Sequence, residues 1–540
     1  MKKRICSILA LVLIIAMALS ISACGNSNAS NDANKNDTSE ASSSEKTDNT
    51  SNEGAGTDAA PVASGKDVLN VAITQDSGTL DPMFNIGWDC MYALRCIYEP
   101  LFDVDEDGNF VWVLATGIDY ESPTKWIVHL REGVTFSNGN PFNADDVVFT
   151  INRANNRPGA SDLLGDCDET QTKKIDDYTV EVNFTKYTVG METGTWTSIY
   201  MFDAESFSED KVTTETVGTG PYTLTSMVTN SVWTVDRRDD YWGEAPAIKT
   251  INFNVLSEST QRVNALETKT ADFTTIPFQD VEYVEGMNDY NVIFHSNGYA
   301  KTLWFSFDPS SAFYNNVDAR KAVSLAIDRE AIVDIAYSGH ADLSRFPFAG
   351  DKVDIKDSWL DQGVYGSGQD VEQAKALAES SGLAGTTIKI VNNGSADSQA
   401  VCELIQEDLR AIGVEVEIWT TDSGSWLAII FDASQWDMAI DFSMGNSAVE
   451  ALNRTNQIGG GMSYQRDDWE GSARFHELLE GAIGEPDEAV RAQATEEMLK
   501  IVEDNYMWLA LCDIYDSYGV SKDLASAPFY KGTIPFFKFA

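Results

Sequence analysis

Histidine, positive charge and long apolar runs are all scarce in this 540-residue chain, and each shortage removes a class of function. The four histidines, His129, His295, His340 and His476, stand far apart, and there is no His-Glu-x-x-His to start a helix-borne zinc site. None of the seven cysteines forms a Cys-x-x-Cys pair, so zinc-knuckle and thioredoxin-like chemistry lack their residues. A Gly-x-Ser-x-Gly elbow and a phosphate loop ending in Gly-Lys-Ser/Thr are also missing. Lys and Arg number 38 against 84 Asp and Glu, a formal charge of −46. Phosphate backbones are gripped by clustered cations, so nucleic acid is excluded as a partner. Acidity this diffuse serves solubility and does not by itself name a cationic ligand. Among so many acids, a pair of catalytic carboxylates stays open on spacing alone.

The one strongly apolar run, Ile5 to Leu19, follows Lys2-Lys3-Arg4 and leads to Ile21-Ser22-Ala23-Cys24. A basic start, a short apolar stretch and small residues before a cleavage point make a secretory signal over 1–23, too short for a stable membrane span. Cys24 in that setting matches a bacterial lipobox and is expected to carry lipid. Residues 24–66 then form a tether rich in Ser, Asn, Asp, Thr, Ala and Gly, with no aromatic, Leu, Ile or Met. It cannot bury surface, and about 40 such residues reach roughly 35 Å. Cys90, Cys96, Cys167, Cys402 and Cys512 remain, and most read as small buried apolar residues. At this length two or three lobes are expected, and 43% hydrophobic residues with 13 tryptophans can fill their cores.

The most informative stretch is Trp126 to Ala154, WIVHLREGVTFSNGNPFNADDVVFTINRA. Trp126 to Leu130 alternates apolar and polar and reads as a half-buried strand. Ser137-Asn138-Gly139-Asn140-Pro141 is a tight turn. Asn143 can cap a helix with Asp145 and Asp146 in its positive first turn, and Val147, Val148, Ile151 and Ala154 supply the apolar face.

Leu130-Arg131, Phe136, Gly139, Pro141, Ala144, Asp146 and Val147 resemble, in order and spacing, the signature of the family 5 extracellular solute-binding proteins, the oligopeptide-, dipeptide- and nickel-binding group of bacterial ABC importers. Further stretches match the same family. Val68 to Ile73 reads as a buried strand before Leu80-Asp81-Pro82, and a helix from Trp88 to Tyr98 leads into Glu99-Pro100-Leu101-Phe102. Gly218-Thr219-Gly220-Pro221-Tyr222 is followed by Tyr241-Trp242-Gly243, and Asn315 to Arg329 resembles the family's Ala-Ile-Asp-Arg helix. The glycines at 218 and 220 are expected to serve the backbone where the chain re-enters its first lobe. Asp103 to Gly108 begins like a calcium loop, but the twelfth position is Leu114 where a bidentate Glu is needed, and an acidic hairpin turn is the alternative. Thr302 to Phe307 reads as a strand. After Asp370 come a helix stopped by Gly382, a strand from Thr387, a helix from Gln399 to Ile412, a strand from Val414 to Ile418 and a helix from Ala489 to Asp504.

The resemblance implies an α/β fold of the periplasmic-binding-protein type II, three-lobed, with two discontinuous-chain lobes closing on a central ligand cleft. The expected division is lobe I over 67–115, 217–303 and 511–540, lobe II over 116–216, and lobe III over 304–510. By resemblance the ligand residues are Trp88, Tyr299, Trp304, Trp426, Asp441, Phe442, Ser443, Met444 and Asn446. Each aromatic among them has core packing as its alternative, and Trp426→Ala is expected to spare stability. Peptide-binding members carry an Asp where this chain has Asn446. A neutral amide cannot neutralise a buried ammonium, so either Asp441 substitutes or the ligand has no free amine. The implied role is a substrate-binding lipoprotein that closes on oligopeptides and delivers them to a permease and its ATPase subunits. The alternatives are the same role for an oligosaccharide or other solute, and a secreted hydrolase. No catalytic residue, metal or cofactor is assigned, and a monomer at the outer face of the cell membrane is expected.

Overall fold

The computed structural model describes residues 65–540, except 77, 84–87, 106–108, 158–163, 165, 192–195, 353, 360–362, 446, 458–468, 470 and 531–532. The expected signal, Cys24 and nearly all of the tether lie outside the described residues, and no described helix is long and apolar enough to cross a membrane. β1 (Val68–Ile73) is followed by the helix Trp88–Ile97 and a short antiparallel pair, β2 (Phe102–Val104) with β3 (Phe110–Trp112). β4 (Ala115–Ser122), β5 (Lys125–Leu130), β6 (Lys173–Asp176) and β7 (Thr179–Asn183) make a small antiparallel sheet in the order β4-β5-β7-β6. Along β5, Trp126, Val128 and Leu130 are buried while Lys125, Ile127 and His129 are half-buried, the period-two pattern of a one-sided strand. Trp126 packs on Phe184 at 4.5 Å and Trp196 at 5.7 Å between ring centroids.

The helix Ala144–Asn155 begins where its residues dictate. The Asn143 side chain accepts from the Asp145 N–H, and Asp146 accepts from the Asn143 N–H, both at 2.8 Å. The other Asp146 oxygen accepts from the Ala204 N–H, so the cap also pins the segment beside it.

The remaining strands are β8 (Tyr222–Val228), β9 (Val232–Arg237), β10 (Thr250–Val255), β11 (Phe273–Thr275), β12 (Tyr290–Phe305), β13 (Ala341–Leu343), β14 (Thr387–Asn392), β15 (Glu415–Thr420), β16 (Met438–Ser443) and β17 (Trp508–Ser521). They join β1 in one mixed sheet of order β15-β14-β16-β12-β17-β11-β1-β10-β9-β8, with β13 added on β17. One half of that sheet is built on β1 and β8 to β11, the other on β14 to β16. β12 and β17 belong to both, paired antiparallel from Tyr290 opposite Ser521 to Trp304 opposite Trp508. Period two marks only Thr302 to Phe307 of this stretch as strand. The register slips between Ser296 and Tyr299, where Gly298 sits at φ +76°, so the alternation breaks while the strand continues.

The separate family stretches meet in space. The Glu99 carboxylate accepts from the Tyr241 hydroxyl at 2.7 Å and from the Trp242 indole at 3.0 Å. The buried Arg238 guanidinium donates to the carbonyls of Phe136, Gly218 and Gly220. Four cysteines, Cys96, Cys167, Cys402 and Cys512, are buried free thiols, and burial raises the pKa of each, which keeps them unreactive.

Gly218 and Gly220 lie against the end of the helix Trp88–Ile97, where the Gly220 N–H donates to the Ile97 carbonyl at 2.8 Å. A Cβ on Gly218 would stand 2.1 Å from that oxygen, and one on Gly220 would stand 2.6 Å from it. We expect Gly218→Ala to cost about 3 kcal/mol or more in denaturant unfolding. Gly117→Ala, which meets nothing within 4 Å, should stay within about 0.5 kcal/mol of the parent. Equal midpoints for the two variants would refute this account of the Gly-Thr-Gly turn.

Candidate functional site

The direction of the parallel strands locates the cleft. β1 runs parallel to β10 and β11, and β14 runs parallel to β15 and β16. β11 is antiparallel to β17 with Thr275 opposite Tyr518, and β16 is antiparallel to β12 with Ser443 opposite Ala300. Both sets of carboxyl ends therefore face the same gap, which the middles of β12 and β17 span. In open α/β sheets, ligands sit outside the carboxyl ends of strands, where loops and helix N-termini converge. Part of this gap is a cavity of about 320 Å³ lined from both halves, by Thr275 to Gln279 after β11, by Ala396, Asp397 and Ala400 after β14, and by Tyr515 to Ser517 of β17.

Ser395 caps the helix Ala396–Ala411, which starts three residues earlier than its apolar pattern suggests. Gly394 before it has φ +82°, and a Cβ there would lie 2.5 Å from the Thr421 carbonyl, so only glycine lets β14 turn into this helix. Asp397 in the first turn pairs with Lys301 of β12 at 2.7 Å and accepts from the Tyr337 hydroxyl at 3.0 Å. Lys301 also donates to the Ser398 hydroxyl at 3.0 Å. Burial opposes the Asp397 charge, but the adjacent Lys301 ammonium outweighs it and holds the carboxyl down to about 2. Tyr337 in turn packs edge-on against Phe278 of the other half, with ring centroids 5.3 Å apart.

At the end of β16 the chemistry is less satisfied. Asp441 is 9% exposed, and its Oδ1 has no hydrogen-bond partner among the described residues. Two residues on, and on the same face of the strand, Ser443 is 1% exposed and its hydroxyl is likewise unpartnered. Burial pushes the Asp441 carboxyl up to about 7, with Lys301 and the Phe442 N–H only partly opposing it. Tyr299 stacks on Phe442 with centroids 5.0 Å apart and planes 24° apart.

Of the residues expected at the site, Tyr299, Asp441, Phe442, Ser443 and Met444 come together at the cleft end of β12 and β16. Trp304 does not. It is 1% exposed, packs at a tilt on Trp508 with centroids 5.4 Å apart and belongs to the core, because it lies four residues deeper along β12 than Ala300. Trp426 is 8% exposed on the helix Ser423–Ile430 and packs in the same core, so its truncation is expected to cost stability rather than spare it. The Trp88 side chain and Asn446 lie outside the described residues. Sequence reasoning missed Lys301, Asp397 and Phe278. The Ser395 cap after Gly394 was the one available signal, whereas nothing local joins Lys301 to a residue 96 positions away. Among the described residues no cluster of three His, Cys, Asp or Glu could hold a metal. A larger hollow of about 880 Å³ is bounded by Arg131, Tyr241, Trp242 and Lys538, none of which follows a parallel strand.

The sequence model described as bacterial extracellular solute-binding proteins, family 5 middle, matches residues 109–460. The chain is 26% identical over 382 residues to the nickel-binding periplasmic protein of Escherichia coli (strain K12), covering 66% of this chain and 71% of that one. It is 25% identical over 377 residues to the glutathione-binding protein GsiB of Pectobacterium atrosepticum, covering 68% and 71%. The periplasmic binding protein DppA from Helicobacter pylori, solved in complex with peptide STSA, superposes with a TM-score of 0.69 at 21% identity, covering 87% of this chain and 97% of that one. The expected type II periplasmic-binding α/β fold is thereby established.

Two outcomes follow from these environments. Trp426→Ala should lower stability by about 3 kcal/mol in thermal or denaturant unfolding, and an unchanged midpoint would take Trp426 out of the core. Asp441 holds its proton in the folded state up to about pH 7, whereas an unfolded Asp releases it near 3.9. The stability linked to that proton is full below about pH 4 and is lost as pH rises through 7. Asp441→Asn should therefore gain on the parent by a few kcal/mol between pH 5 and 8, and a constant difference in melting temperature across that range would contradict the burial argument.

Proposed function

The chain belongs to the bacterial extracellular solute-binding proteins of family 5, and from that premise we propose that it is the receptor of an ABC importer whose solute is an oligopeptide held between the two halves of the large sheet. The observation that carries the ligand class is Asp441. A carboxylate this buried, without a partner on Oδ1, calls for a hydrogen-bonded cation to offset its desolvation. The α-ammonium of a peptide supplies a charge with three donors, enough for Asp441 and the unpartnered Ser443 hydroxyl together. Tyr299 and Phe442 stack at the same edge of the sheet, on the strand face opposite Asp441 and Ser443, and offer apolar surface there, the mix of packing and orienting groups that ligand clefts use. Closure of the halves then presents one composite surface to a permease and its ATPase subunits. Lipid on Cys24 and the tether after it would keep the receptor at the outer face of the membrane. This reading assigns no chemical step. A second reading, a solute without a free amine such as an oligosaccharide, draws on Asn446, a neutral residue where the family resemblance expects an acid.

A thermal-shift comparison of free peptides, N-acetylated peptides, oligosaccharides and nickel separates these readings. A micromolar ligand at millimolar concentration stabilises by roughly 4 kcal/mol. Free peptides should raise the melting temperature, while acetylation or Asp441→Asn should abolish most of the rise. A rise with oligosaccharides alone would overturn the peptide assignment.

A further inference from the structure

Among the described residues the chain passes between the two halves of the large sheet through β12 and β17, yet the small-sheet segment before β8, which shares a core with the β1 half, also reaches the β14 to β16 half. Val189, in the segment between β7 and β8, is 8% exposed and sits in the core of the β14 to β16 half. Every other buried member of that core lies between Ala300 and Cys512. The Val189 N–H donates at 2.8 Å to the carbonyl of Ile483, the last residue of the helix Ser472–Ile483. Terminal helix carbonyls have no partner within their own helix, so this bond satisfies an acceptor that otherwise faces water. Gly190 follows at φ +81°, and a Cβ there would stand 3.2 Å from a Glu450 carboxylate oxygen. Behind this tip the Thr188 hydroxyl donates to Asp166 at 2.8 Å and the Met191 N–H donates to the Thr188 carbonyl, so the segment is braced from its own side.

We propose that Tyr187 to Gly190 is a latch that holds the two halves closed over the cleft, and that its withdrawal from the helix Ser472–Ile483 gates solute entry and release. The proposal rests on the receptor reading only in taking the cleft as the solute site. The hinge in this proposal is the point where β12 slips register after Ser296 and carries Gly298 at positive φ. A small apolar side chain and one backbone hydrogen bond suit a reversible contact. Together they favour the closed state without making it permanent, and a receptor that must hand over its solute needs that balance.

Val189→Asp places a carboxylate in an apolar core and should open the latch without altering any cleft residue. Val189→Ala keeps the backbone donor and should open it less. Small-angle scattering of the solute-free proteins should give a larger radius of gyration for Val189→Asp. Stopped-flow release of a bound peptide should be about tenfold faster, with Val189→Ala between it and the parent in both measurements. Scattering curves and release rates that superimpose on the parent would overturn the latch. If no peptide binds the parent, the receptor's ligand class fails separately, and the scattering comparison alone decides. If Val189→Asp does not fold, Val189→Ala decides by the same two readouts.

Discussion

The pairing of β12 with β17 is the constraint on which the rest depends. These two antiparallel strands carry the chain into the second half of the sheet and back again, and their hydrogen bonds make one sheet out of two cores. Because β11 and β16 both run antiparallel to this pair from opposite ends, the carboxyl edges of both halves must face each other. The cleft is thus a consequence of strand direction before any side chain is considered. A sheet that is continuous but slipped in register at its middle is more strongly twisted there, and that is the axis the proposed latch would open about.

Around this axis the polar groups are unevenly satisfied. Lys301, Asp397, Tyr337 and Ser398 satisfy one another on one side of β12, and that network ties the hinge strand to the helix Ala396–Ala411. The Asp441 Oδ1 and the Ser443 hydroxyl on β16 are left without partners among the described residues although they are buried. Buried polar groups are normally hydrogen-bonded, and this contrast is what the proposed peptide contact draws on. The same reasoning explains why Arg131 and Glu99 belong to the fold. Arg131 donates to the Val113 carbonyl at 2.8 Å, and Glu99 is saturated by Tyr241 and Trp242.

Much of this was legible in the order of the residues. The Asn143 and Asp146 cap, the stop at Gly382, the alternation on β5 and the close approach at Gly218 are decided within a few positions, where propensity and hydrogen bonding act locally. Resemblance named Tyr299, Asp441, Phe442, Ser443 and Met444, which stand at one end of the β12–β16 pair. Trp304 was misplaced by the same resemblance, because whether a strand residue lines a cleft or a core depends on how far along the strand the edge lies, and sequence carries no mark of that edge.

The sequence by itself determined the family, the class of fold, the ends of many helices and the short list from which the cleft residues come, because each of these rests on local pattern or on motifs in fixed order. Only the tertiary structure decided which aromatic faces the gap, that Lys301 neutralises Asp397 across 96 positions, and that Val189 enters a core otherwise built from residues beyond Ala300. Those outcomes depend on register and on lobe docking, where distant segments compete for the same space. No stretch of chain records the result of that competition in advance.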